Sequence, residues 1–288
     1  MASIKDLRLR IKSVGSIKQI TRAMEMVATT KLRRFQDRAM ASRPYAQEIS
    51  GLLGRLAAVL GEGLAERVLF RPGTGERTLL LLVSSDRGLC GAYNTILLRK
   101  LEAWRAEHPH PVDYFVYGRK GFQYMDRRDF EVQRFLTEPP LESIDFPNAA
   151  ITARMLQREF ESGRYREVLL LYTAFESMAK YVPTLLPFLP VTGESLDTQQ
   201  ESGGDVILEP DAETIFDHLV PRYLETIVHN ALLESLTSEY ASRRFAMKNA
   251  TEAATDMQKV LRGVYNRKRQ ENITKELLDI VGGVEALR

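Results

Sequence analysis

"IKDLRLRIKSVGSIKQITRAMEMV", residues 4–27, decides how the chain begins. Ile4, Leu7, Ile11, Val14, Ile17, Ile20, Met24 and Val27 recur every three or four residues, the spacing of one helix face. No proline intervenes before Pro44, and Ile49, Leu52, Leu56 and Leu60 resume the pattern. The spacing therefore predicts one helix over about 4–60, roughly 85 Å long at about 1.5 Å per residue. A helix of that length needs a partner along it. The far end of the chain supplies one. Met247, Ala250, Ala254, Met257, Leu261 and Val264, then Ile273, Leu277, Ile280, Val284 and Leu287, alternate in threes and fours. That alternation is the seam of a left-handed coiled coil. Pro221 fits the first turn of this helix or a kink. Antiparallel pairing is the simplest arrangement, with the C-terminal helix the longer. Its end, "ITKELLDIVGGVEALR" (273–288), is then expected to project with apolar residues exposed, a common mark of a binding site.

The middle of the chain has another period. "TLLLLVSS" (78–85), "VDYFVYG" (112–118), "FEVQRFL" (130–136) and "EVLLLYTAF" (167–175) read as buried strands, alternating with helical stretches near 92–106, 119–128 and 148–163. "YVPTLLPFLP" (181–190) reads as an edge strand because its prolines cannot donate to a ladder. The fold class is therefore α+β: a long antiparallel coiled coil of the N- and C-terminal helices with an inserted Rossmann-like α/β domain. The expected division is a helix over 1–60, a linker over 61–77, the α/β domain over 78–190, a linker over 191–210 and a helix over 211–288.

Composition narrows the function. With 44% hydrophobic and 27% charged residues in 288, the chain is an ordinary globular one. No apolar run of transmembrane length occurs, and the start has neither the apolar core of a signal peptide nor the character of a transit peptide. The single cysteine, Cys90, excludes an internal disulfide and suits a reducing, cytosolic or cytosol-facing setting. Net charge is only +2, yet residues 1–43 carry a net +8 and residues 241–272 a net +5. Two basic regions on helices expected to pair point to one acidic partner surface.

No catalytic constellation emerges. "SSDRGLCGAYN" (84–94) joins a strand to a helix through Gly88 and Gly91, which could hold an anion, but it matches no phosphate-binding motif. Cys90 within it could be a thiolate nucleophile, but no histidine lies near it in sequence, and a structural turn is the favoured reading. His108 and His110 in "HPHP" could ligate a metal, although a solvated loop is favoured; His218 and His229 read as structural. Nucleic-acid binding through the basic helices is disfavoured, because they lack interleaved aromatic residues. No catalytic, cofactor or metal residue is therefore assigned.

"ITRAMEMVATTKLRR" (20–34) with "SRPY" (42–45), "SSDRGLCGAYN", "LEPD" (208–211), "ASRRFAMKNAT" (241–251) and "NRKRQENITKELLDIVGGVEAL" (266–287) together resemble the gamma subunit of the F-type ATP synthase, the central rotor shaft, over the whole chain. The resemblance implies a non-catalytic subunit that rotates inside a hexamer of alpha and beta subunits and couples transmembrane proton flow to ATP synthesis or hydrolysis on beta. It implies contacts with beta-subunit loops at Met24, Lys31, Arg33, Arg34, Arg243, Gln270, Thr274 and Glu276, with Ala28 and Thr29 adding a smooth face. It implies an apical bearing at Ile273, Leu277, Ile280, Val284 and Leu287. It places Ile207, Leu208 and Glu209 near the epsilon subunit and the c-subunit ring, with the α/β domain as the foot. No cofactor, nucleic acid or small-molecule substrate is implied. The implied location is peripheral, on the cytoplasmic face of a bacterial inner membrane. The long cysteine-bearing insertion of the plant chloroplast form is missing.

Overall fold

A computed structural model describes residues 3–178, 180–192 and 211–285. Helix α1 spans Ile4–Leu60 and helix α5 Ala212–Glu285. Between them lie strands β1 (Arg77–Val83), β2 (Val112–Tyr117), β3 (Val132–Leu136), β4 (Tyr165–Phe175) and β5 (Tyr181–Leu189), with helices α2 (Tyr93–Glu107), α3 (Arg119–Asp126) and α4 (Phe146–Glu161). The chain divides into two compact units: Met1–Thr29 with Arg243–Arg288, and Thr30–Ser242. The larger unit thus combines the sheet with residues 30–60 of α1 and 212–242 of α5.

The five strands are ordered β3-β2-β1-β4-β5. β1 pairs in parallel with β2 and β4, β2 pairs in parallel with β3, and β5 runs antiparallel to β4. β1 is buried from Thr78 to Val83, as a central parallel strand covered on both faces must be. β5 lies at the sheet edge, where Pro183 and Pro187 leave no central ladder short of a donor. β3 is the other edge; Gln133 and Arg134 are exposed, so the apolar run there is half-buried rather than buried as its composition suggested. The turn after β2 needs glycine: Gly118 has φ +90°, and a Cβ there would stand 2.1 Å from the Ser84 carbonyl oxygen.

α5 begins nine residues before Pro221, at Ala212, because Asp211 caps it by accepting from the Thr214 amide at 2.8 Å. Pro221 is accommodated inside the helix, as is Pro44 in α1. In the smaller unit, α1 buries Leu7, Val14 and Ala28, with Ile4, Ile11, Lys18, Thr21 and Glu25 half-buried. These positions keep a strict seven-residue repeat. Ile17, Ile20, Met24 and Val27, which the spacing placed on that same face, are 50%, 53%, 40% and 56% exposed. The sequence carries two apolar stripes one residue apart, and the structure buries the one that stays in phase. α5 shows the same slip: Gln258 and Tyr265 are half-buried, whereas Met257 and Val264 are exposed. Inside this unit Thr251 Oγ1 donates to Thr21 Oγ1 at 2.8 Å and Arg8 Nη2 donates to the Tyr265 hydroxyl at 3.0 Å. A Cβ on Gly15 would meet the Gln258 amide at 3.0 Å. Residue numbers in α1 fall as those in α5 rise.

Asp113 on β2 is fully buried and ties the lower end of the sheet together. Arg77 and Arg164 ion-pair with it, and the Tyr165 hydroxyl donates to it at 2.9 Å. Burial alone would raise its carboxyl, but Arg77, Tyr165 and Arg164 hold it below the usual carboxylate range. Replacing Asp113 with Ala leaves Arg77 facing a buried gap, and the full chain should lose about 3 kcal/mol in urea unfolding at pH 7. A loss below about 1 kcal/mol would show that the cluster is merely a surface network.

Candidate functional site

In an open parallel sheet of this order, ligands bind beyond the carboxyl ends of the strands where the winding reverses. Here that place lies between β1 and β4, and "SSDRGLCGAYN" is the turn that leaves β1. Leu89 (φ 63°) and Gly91 (φ 58°) turn the backbone, and Asn94 Oδ1 accepts from the Ser85 amide at 3.2 Å. α5 closes the crevice from the other side. Ser235 Oγ accepts from the Thr173 amide at 3.1 Å, Ser238 Oγ donates to the Thr173 carbonyl at 3.1 Å, and Ser242 Oγ donates to the Cys90 carbonyl at 2.6 Å. These three serines stand on one face of α5, so the backbone groups that would greet a ligand bond to a helix instead. Tyr93, which opens α2, is buried, and both burial and the Glu239 charge raise its phenol. A negative charge next to that helix start opposes phosphate binding.

Cys90 is 2% exposed. Its sulfur accepts from Asn94 Nδ2 at 3.2 Å and lies 3.7 Å from Ser85 Oγ and 3.8 Å from the Arg87 carbonyl oxygen. These are the surroundings of a buried, packed cysteine. "HPHP" is a loop with exposed prolines and partly buried histidines. His108 stacks on Trp104 at 4.4 Å, bonds to Thr78 Oγ1 at 2.9 Å, and burial lowers its pKa. His110 is engaged by Arg166 at 2.6 Å. Among the described residues no group of three or more His, Cys, Asp or Glu could hold a metal ion, and no helix is long and apolar enough to cross a membrane.

The residues that the resemblance assigned to partner contact fall into different surroundings. Met24, Thr29, Arg33, Arg34, Gln270, Thr274 and Glu276 are exposed, whereas Ala28 is buried. Arg243 is half-buried and already engaged within the chain. It stands 27 residues before Gln270 on one helix, so the two are about 40 Å apart and cannot meet the same loop at once. Ile273, Leu277 and Ile280 are 47%, 57% and 63% exposed, and Leu278 and Val281 are exposed as well, so the tip is apolar on more than one face. The Val284 backbone continues the helix. Leu287, Ile207, Leu208 and Glu209 lie outside the described residues.

Lys31 is different. It ion-pairs with Glu142, and its Nζ lies 3.2 Å from the Tyr240 hydroxyl, which itself donates to Glu142. Arg38 Nη2 donates to the Ile144 carbonyl at 2.7 Å, and Ser42 Oγ donates to Asn230 Oδ1 at 3.0 Å. Sequence reasoning missed Glu142, Tyr240, Ser242 and Arg38. The one available signal was the serine spacing of α5.

The fold defines a class: an α/β sheet inserted in sequence between two long terminal helices, with α5 bonded to the backbone at the crevice of the sheet. A family profile described as ATP synthase matches residues 3–287. The ATP synthase gamma chain of Cytophaga hutchinsonii is 38% identical over 295 aligned positions, spanning 100% of this chain and 99% of the relative. That of Mycolicibacterium vanbaalenii is 40% identical, spanning 99% and 98%. The chain belongs to the ATP synthase gamma chain family. A solved central stalk of the Tetrahymena thermophila mitochondrial ATP synthase is 26% identical, with a TM-score of 0.60 over 80% of this chain and 99% of that one. A chain of the Euglena gracilis enzyme shares the fold at 20% identity, with a TM-score of 0.66 over 99% and 94%.

His229 on α5 supplies a pH test of this region. It packs edge-on against Phe146 at 5.4 Å, and burial, then the Arg38 charge, lower its pKa from 6.5 to about 4 against the opposing pull of Asp145. A depressed folded-state value stabilises the fold above the unfolded pKa, and that stability is lost as pH falls from about 6.5 towards 4. Urea unfolding of the chain at pH 7 and pH 4.5 should differ by on the order of 2 kcal/mol more in the wild type than in His229→Gln. An equal pH response in both would exclude a buried neutral imidazole.

Proposed function

We propose that the chain is the non-catalytic central shaft of a rotary ATP synthase. Its two long helices pair as an antiparallel coiled coil and turn inside a hexamer of alpha and beta subunits. The Rossmann-like sheet unit is the foot, which meets the c-subunit ring and epsilon through the segment containing Ile207, Leu208 and Glu209. The shaft is peripheral, on the cytoplasmic face of a bacterial inner membrane, and couples proton flow to ATP chemistry on beta. One observation carries the reading. Thr21 with Thr251, Gly15 with Gln258 and Arg8 with Tyr265 are successive contacts of opposite direction, and everything on α5 from Arg269 to Val281 is exposed beyond them. A run of exposed apolar side chains on a helix end marks an interaction surface. The sealed crevice supports the absence of catalysis by this chain. Purified at native abundance, it should bring alpha, beta and epsilon with it and hydrolyse no ATP when stripped of them. Turnover by the isolated chain would defeat the proposal.

The contacts with beta are tested through Arg243 and Gln270. Removing both should lower multi-site ATP turnover of the assembled complex by about tenfold or more while single-site turnover is kept, because charge-assisted bonds that form and break with rotation alter its barriers. Since the two positions are about 40 Å apart, their separate effects should multiply to within about twofold. Equal losses in single-site and multi-site turnover would place these residues outside the coupling.

A further inference from the structure

We propose that Lys31 is a positioning residue that, with Glu142 and Tyr240, fixes both long helices to the sheet unit at the point where they leave it, rather than a contact with the catalytic subunits. The proposal rests on the rotor reading and concerns how the foot grips its shaft. Lys31 is the second residue of the larger unit, and Tyr240 stands two residues before its end. One carboxylate serves both. Glu142 takes the Lys31 ammonium on Oε2 and the Tyr240 hydroxyl on Oε1, so its two oxygens are held by two different helices. Lys31 also faces the Tyr240 ring, with Nζ 5.4 Å from its centroid, and Phe35 packs on that ring at 5.4 Å.

Seven residues along the same face of α1, Arg38 binds the Ile144 carbonyl. The segment from Leu141 to Asp145 is therefore strapped at two points to α1 and at one to α5. The strap itself is anchored. Leu141 and Ile144 are buried, and Asp145 caps α4 by accepting from the Asn148 amide at 3.1 Å. Burial would raise the Glu142 carboxyl, but the bonds from Lys31 and Tyr240 hold it below the usual range, which agrees with an engaged anion. Glu142 and Tyr240 take two of the three N–H donors of the Lys31 ammonium. Arg33 and Arg34 are exposed.

The test uses the assembled complex in membrane vesicles. Lys31→Met and Glu142→Gln should each lower proton pumping per ATP hydrolysed by about threefold or more, the scale of one part-exposed ion pair. The double variant should be no worse than either, and the exchange Lys31→Glu with Glu142→Lys should recover at least about half. Hydrolysis by the hexamer and shaft detached from the membrane should stay within about twofold, since no load crosses the clamp there. A silent Glu142→Gln, or effects of the two changes that multiply, would return Lys31 to a partner-facing role. Amide exchange over residues 31–38 gives a second reading that needs only the folded chain. It should quicken in Tyr240→Phe and Lys31→Met, and unchanged protection would overturn the clamp. Failure of the rotor reading looks different: the wild-type chain would support no pumping and associate with no alpha or beta subunit.

Discussion

The structure depends on the burial of one stretch of α5 on nearly every side. From Tyr223 to Ser242 the helix presents Leu224, Val228, Leu232 and Leu236 as core, and Thr226, Ser235, Thr237, Ser238 and Ser242 are buried too. A helix that is apolar on one stripe would satisfy a surface position. This one runs through the unit, so its second face is small and polar and bonds to backbone in the turn after β1 and near the end of β4. In the other unit α5 has one buried residue per turn or fewer, so the composition and the burial change along a single element.

That arrangement occupies the place where an open parallel sheet of this order takes its ligands. The Thr173 and Cys90 backbone groups there bond to α5, and the buried Glu239 is near enough to Tyr93 to raise its phenol after burial has done so. The crevice has become a socket. Glu142 repeats the principle at the other flank, with a strap of the sheet unit reaching both helices.

Much of this was legible in the chain. The strands, the edge role of β5 and the two long helices follow from periodicity and proline alone, and the exposed tip follows from apolar spacing that outlasts its partner. The phase of the seam was not legible. Ile17, Ile20, Met24 and Val27 form a better apolar stripe than Lys18, Thr21 and Glu25, yet the latter are turned inward because a seven-residue repeat admits no slip. The clamp was hidden for another reason: Glu142 lies 111 residues from Lys31 and 98 from Tyr240, and a lone acid after two prolines has no local pattern. The role of "SSDRGLCGAYN" was half-legible. Its turn chemistry was clear, but what it grips, Ser242, lies 152 residues beyond Cys90.

The central claim is the proposed one, that this chain is a shaft that turns while chemistry happens on its partners. The direct measurement attaches a probe to an exposed position on α2, Arg99→Cys in a Cys90→Ser background, in a complex whose hexamer is fixed to a surface. Under ATP the account predicts stepwise rotation of the probe in one direction, at a rate that follows ATP turnover. ATP turnover with a probe that stays still would contradict it.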